Sequence, residues 1–237
     1  MRGYKIHLIR HGLSEGAEEG KYIGSSDVSL TEYGKKQLRD MMAEYEYPDA
    51  EIVISSPLNR CLETAKLLYP NKNPVIFDDL SEYDFGEFEG QTAEELNSDP
   101  AFTEWIKGGE DAKAPFGESN GEFRDRVCKS FFNIVEGILK TEPRSVAVIT
   151  HGGVIMTLMQ YFAFPERPMH EWMMPNGCGY TLNVDRRIWE NFNRAEAFAE
   201  IPFKPFDYKE DEPYNEDWDG EIDPEEFKGF YTPQEDK

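Results

Sequence analysis

The chain has 237 residues, 39% of them hydrophobic and 14% aromatic, and its formal net charge is −22. That length holds one large domain, or one domain with an appendage, with enough apolar residues for a core. The charge argues against the basic footprint that nucleic acid or an anionic membrane surface requires, and no apolar run approaches bilayer-spanning length.

Residues 4–9 read as a buried first strand, ending in Arg10, His11 and Gly12. Leu38, Met41, Met42 and Tyr45 recur at helical spacing and predict a helix over 31–45, capped by a Ser29/Glu32 box or by Thr31. A short apolar strand follows at 51–55. Ser56 and Pro57 then read as N-cap and first residue of a helix whose apolar face is Leu58, Cys61, Leu62, Ala65 and Leu68. Residues 74–77 predict a third strand. Residues 80–120 are mixed, with a Gly-rich loop at Gly108–Gly109. Ser119 and Glu122 form a capping box for a long helix that buries Phe123, Val127, Phe131, Ile134 and Ile138. SVAVIT at 145–150 predicts a strand buried on both faces. A helix through Val154, Leu158 and Phe162 follows it. Tyr180, Leu182 and Val184 alternate as a strand, with a hairpin partner expected from Ile188.

Alternating strands and helices predict an α/β fold with a largely parallel sheet and helices on both faces. Ligands of such sheets bind beyond the carboxyl ends of the strands. Arg10 and His11 follow the first strand, Arg60 lies in the first turn after the second, and His151 follows SVAVIT, succeeded by Gly152 and a helix N-terminus. Two guanidiniums, two imidazoles and helix N-termini on one rim suit a tetrahedral dianion. Arginines neutralise phosphoryl oxygens, and nearby cations keep an imidazole neutral and nucleophilic. Such chemistry needs no metal. It does need an acid for the leaving alkoxide. Asp79, Glu82, Asp84, Glu87 and Glu89 are all candidates, and physics alone does not choose among them.

LIRHG, YIGSSDVSLTEYGKKQ, SSPLNRCLETA, LSEYDFGEFEG and VITHGGVI occur in that order. Together they resemble the histidine phosphatase superfamily, also called the phosphoglycerate mutase-like family, over roughly residues 4–195. The resemblance implies a three-layer phosphoglycerate mutase-like fold. It implies His11 as nucleophile, Arg10 and Arg60 as phosphate ligands, His151 as the second histidine of the site and Glu82 as proton donor. Ser14, Gly24 and Gly152 are the expected substrate-binding positions. One departure is clear: where many members read R-H-G-E-T-x-x-N, this chain has Leu13 for the Glu and Ala17 for the phosphate-contacting Asn, which Ser14 would have to replace. The DFGEFEG form is similar to α-ribazole phosphatases and broad phosphomonoesterases, and the Glu82–His151 interval is short for a mutase. The expected activity is therefore metal-independent hydrolysis of a small phosphorylated metabolite. Phosphoglycerate mutase-type transfer and a catalytically inactive phospho-ligand binder are the alternatives.

Cys61, Cys128 and Cys178 lack metal or disulfide spacing, and MRGYKIHLIRHG lacks the apolar centre of a secretion signal; a cytoplasmic protein is expected. Phe102, Trp105, Phe116 and Trp172 are candidates for the pocket mouth, with core packing as the competing assignment. Residues 201–237 carry 13 acids and 4 bases and read as an acidic extension to a domain at 1–200. Within it NEDWDGEIDPEE, 215–226, fits an EF-hand loop at Asn215, Asp217, Asp219, Gly220, Ile222, Asp223 and Glu226, which would place Ca2+ there. Asn at the first position and Pro213 before it favour instead a solvated tail or one that packs its aromatics.

Overall fold

The computed structural model describes residues 3–204. In chain order the elements are β1 (Tyr4–Arg10), α1 (Glu32–Glu44), β2 (Ile52–Ser55), α2 (Asn59–Leu68), β3 (Val75–Ile76), α3 (Ala93–Leu96), α4 (Pro100–Trp105), α5 (Asn120–Thr141), β4 (Ser145–Thr150), α6 (Gly152–Phe162), β5 (Ala163–Phe164), β6 (Gly179–Val184), α7 (Arg186–Phe192) and β7 (Ala195–Ile201). The sheet order is β3-β2-β4-β1-β6-β7-β5. Neighbours from β3 to β1 are parallel, as are β5 and β7, while β6 runs antiparallel to both β1 and β7.

Strand periodicity explains the layers. Ile6, Leu8, Val146 and Val148 face one core with Phe131 and Ile134 of α5 and Val154 and Leu158 of α6. The alternate residues Ile9, Ala147 and Ile149 face a second core with Cys61, Ala65 and Leu68 of α2. Central strands covered by helices on both faces must be apolar at every position, which is why SVAVIT shows no alternation. The mostly parallel α/β sandwich expected from the sequence is the architecture found.

Capping chemistry sets several boundaries. Ser119 and Glu122 form their reciprocal box at α5, and the Thr31 hydroxyl accepts from Gly34 N to cap α1. Two expectations need correction. α2 begins at Asn59 with Leu58 as its N-cap and no side-chain cap bond; the Ser56 hydroxyl accepts from Leu58 N over 3.4 Å, ahead of the helix, and also meets a tertiary partner described below. The segment at Ile188 is helix, because Asp185 caps it by accepting from Arg187 N and Ile188 N. The antiparallel partner of β6 comes later, as β7. Backbone pairing continues past residue 200, with Glu46 bridged to Phe203. The EF-hand-like loop lies outside the described residues.

Candidate active site

Strand register builds the site. Parallel pairing of β1 with β4 places Arg10 opposite Thr150, and His11 N donates to Thr150 O over 2.9 Å. The next residues on adjacent strands, His11 and His151, are therefore neighbours. Their rings stand edge to face with centroids 5.1 Å apart. Pairing of β2 with β4 puts Ser55 opposite Ile149, so Ser56 also reaches His151. In the first turn of α2, Arg60 is fully buried against the same ring.

The hydrogen bonds define tautomers and aim. His11 Nδ1 lies 2.6 Å from Gly12 O. A carbonyl only accepts, so Nδ1 carries the proton and Nε2 keeps its lone pair. Arg60 Nε donates to His151 Nδ1 over 3.3 Å, which leaves Nε2–H of His151 to donate to Ser56 Oγ at 2.8 Å. Arg60 also donates to Ser26 O at 2.7 Å and Gly24 O at 2.6 Å, so three of its five N–H groups are used. Arg10 Nη1 donates to Met174 O over 2.7 Å, while its buried Nε has no hydrogen-bond partner among the described residues. A Cβ on Gly152 would sit 3.3 Å from that Nε.

Among the five candidate acids, Glu82 alone joins this cluster. Its Oε1 accepts from Tyr83 N and its Oε2 from Gly153 N, both over 3.0 Å. Glu89 instead holds a loop together, accepting from Gly24 N, Ser25 N and Phe85 N and from the Ser26 hydroxyl. Asp84 accepts from Ser25 Oγ and Gly86 N, and Asp79 and Glu87 are exposed. Arg126 fixes the acid's backbone by donating to Asp79 O, Ser81 O and Glu82 O while paired to Glu118.

The expected substrate-binding positions fare differently. Gly24 supplies its carbonyl to Arg60 and its N–H to Glu89, and a Cβ there would fall 1.8 Å from Tyr83 O. Gly152 opens α6 beside Arg10. Ser14 is buried, bridged by backbone to Leu30, and its hydroxyl has no partner among the described residues. Ala17 begins a short 3₁₀ turn. Three contributors were not read from sequence. Ser56 was assigned to a helix cap. Cys61, 3.5 Å from His151 Nε2, was counted only as an apolar face residue. Thr64 receives Gly12 N at 3.0 Å and donates to Arg60 O.

Burial and charge then set protonation. Burial, then Arg60 and Arg10, lower the His11 pKa to about 3, with the Gly12 carbonyl opposing. Burial, His11 and both arginines hold the His151 pKa well below its ordinary value. Burial raises the Glu82 pKa against the pull of two backbone N–H groups and both arginines. Near neutral pH the cluster thus presents a neutral imidazole with an available lone pair, two cations and a carboxyl biased toward its acid form. No group of three or more His, Cys, Asp or Glu among the described residues could hold a metal ion, and no helix among them is long and apolar enough to cross a membrane.

Residues 6–194 match the profile of a family described as the histidine phosphatase superfamily, branch 1. An acid phosphatase of Mycobacterium tuberculosis is 32% identical over 193 residues, covering 78% of this chain and 90% of that protein. An adenosylcobalamin/alpha-ribazole phosphatase of Escherichia coli is 24% identical over 189 residues, 78% of this chain and 92% of that one. A crystal structure of a phosphoglycerate mutase from Thermus thermophilus superposes with a TM-score of 0.59 at 28% identity, covering 84% of this chain and 99% of its own. The alpha-ribazole phosphatase structure from Shigella flexneri shares the fold, with a TM-score of 0.68 at 22% identity over 77% of this chain and 92% of that one.

Proposed function

Because the chain belongs to the histidine phosphatase superfamily, we propose that it hydrolyses a small-molecule phosphomonoester through a phosphohistidine on His11. His11 Nε2 attacks phosphorus as the P–O ester bond breaks, and Glu82 gives its proton to the departing oxygen. Water then attacks the phosphorus of phospho-His11. Glu82 takes a proton from that water, the P–N bond breaks, and phosphate leaves with the imidazole again neutral. Arg10 and Arg60 bind the phosphoryl oxygens, and their hold strengthens as charge accumulates there in the transition state. His151 completes the cradle by moving its Nε2–H from Ser56 Oγ to a phosphoryl oxygen. Gly24 and Gly152 act through their backbones, and Ser14 contributes its unpartnered hydroxyl in place of the contact that Ala17 lacks. The catalytic domain is 1–200, with 201–237 an acidic extension. The protein works in the cytoplasm on a phosphorylated metabolite rather than on nucleic acid, without a catalytic metal.

The observation that best supports this reading is the His11 tautomer: Nδ1–H is spent on Gly12 O, and the Nε2 lone pair lies beside a second imidazole. The test is turnover of an aryl phosphate with and without EDTA, together with trapping of an acid-labile, alkali-stable phosphoprotein. Activity that survives EDTA, and label that disappears in His11→Ala, are expected. Label retained in that variant would refute the assignment. Isomer formation dependent on a bisphosphate primer, without released phosphate, would select the mutase alternative.

A further inference from the structure

A cavity of about 710 Å³ opens beside the proposed proton donor, with Glu82 and Gly153 in its wall. We propose that it receives the leaving group, and that the substrate is the phosphomonoester of a bulky, apolar, ring-bearing alcohol rather than of a small anionic one. This rests on the phosphatase reading and extends it to substrate class.

Position comes first. An acid that protonates the ester oxygen must lie within hydrogen-bond reach of it, so the alcohol extends from Glu82 into the space Glu82 borders. Size comes next. The volume is that of a site for a drug-sized ligand, far more than a three-carbon alcohol fills. The walls are apolar, formed mainly by Phe85, Trp105, Phe123 and Met156. They are also held in place. Trp105 stacks on Phe102 at 5.7 Å, meets Tyr22 and Phe85 edge-on at 5.6 and 5.9 Å, and donates to Tyr83 Oη. Rigid aromatic walls bind a flat apolar group at little ordering cost.

Charge disfavours the alternative. Arg124 is the sole cation among the lining residues, and it is already paired with Glu110 and Asp125. Glu110 lines the cavity as well. The carboxylate of a phosphoserine or phosphoglycerate would therefore meet largely apolar walls, an added like charge and no uncommitted cation among the lining residues, and would lose hydration without gaining a counter-charge.

The test compares kcat/KM for 1-naphthyl phosphate, phenyl phosphate and O-phosphoserine. Burying the second ring is expected to favour the naphthyl over the phenyl ester on the order of tenfold. O-phosphoserine should fall on the order of a hundredfold below the naphthyl ester. Met156→Lys should bring the naphthyl-to-phenyl ratio toward one, and Met156→Leu, which keeps volume and polarity, should preserve it. A wild-type ratio near one, or O-phosphoserine turned over as well as the naphthyl ester, overturns this inference and leaves the phosphatase reading standing. Failure to hydrolyse every ester, with no phosphoprotein formed, brings down both. Should the lysine variant not fold, the wild-type and leucine ratios still decide.

Discussion

Gly153 N–H donates to Glu82 Oε2 over 3.0 Å, joining the first turn of α6 to a carboxyl 71 residues earlier in the chain. Helix N-terminus and arginines pull this group toward its anion, and burial pushes it toward the acid; burial prevails and the pKa is raised.

Glu82→Gln is therefore expected to lower kcat on an alkyl phosphate by roughly 10²–10⁴-fold. The loss should be smaller on 4-nitrophenyl phosphate, whose phenolate leaves without a proton. In the wild type, kcat/KM should fall as pH rises through the elevated Glu82 pKa, because the donor loses its proton there. On the acid side it should hold until His11 protonates near 3. The glutamine variant should lose the basic limb. A basic limb that survives the substitution would assign it to another group.

Arg60 reaches Gly24 O, Ser26 O and His151 Nδ1 at once, a span that a single ammonium does not reproduce. Arg60→Lys keeps the charge yet should lower kcat/KM by roughly 10²–10³-fold. Competitive inhibition by inorganic phosphate should weaken at least about tenfold. Inhibition constants equal to wild type would remove Arg60 from the phosphate cradle.

His7 is buried between Thr181 Oγ1 and Ser145 Oγ, at 2.9 and 3.0 Å, and burial with Lys5 nearby lowers its pKa to about 4. In the unfolded chain a histidine takes its proton near 6.5. The stabilisation is thus complete above about pH 6.5 and is lost as pH falls through about 4, a change of roughly 3 kcal/mol from this residue. His7→Gln should reduce the slope of stability against pH in that window by about one proton. Denaturant titrations at stepped pH measure it, and an unaltered slope would contradict the burial argument.

Two glycines separate close approach from backbone strain. A Cβ at Gly24 would meet Tyr83 O at 1.8 Å, whereas at Gly90, with φ of 75°, it would meet nothing within 4 Å. Gly24→Ala must displace the loop that receives Arg60, and turnover should fall at least about tenfold. Gly90→Ala should cost only the left-handed penalty, about 1–2 kcal/mol in melting experiments, with activity retained. Equal effects on turnover would mean that the loop is not what anchors Arg60.

The legible parts of the fold were those set by local chemistry. The Ser119/Glu122 box, the unbroken apolar run of β4 and the strand-end positions of Arg10, His11 and His151 all follow from neighbouring residues. Long-range choices were not legible. Ser56 has every local reason to cap a helix, but its hydroxyl goes to an imidazole 95 residues away. Asp185 opened a turn of helix where alternation suggested a hairpin. Among the five acids, Glu82 differs from Glu89 in its tertiary surroundings, Gly153 N–H and the two arginines for one and the Gly24–Ser26 loop for the other. That is a property of loop packing, so only the family pattern, not composition, singled it out. The aromatic ambiguity also resolved by packing. Phe102 and Trp172 are core, Trp105 lines the cavity, and Phe116 is exposed with a φ of 61°.

In the sheet, β4 lies between β1 and β2, so these two strands share no hydrogen-bond ladder with each other. Residues 145–150 join them, pairing with β1 along one edge and with β2 along the other. That one strand therefore acts as a splint, setting where the second imidazole stands relative both to the first and to Arg60.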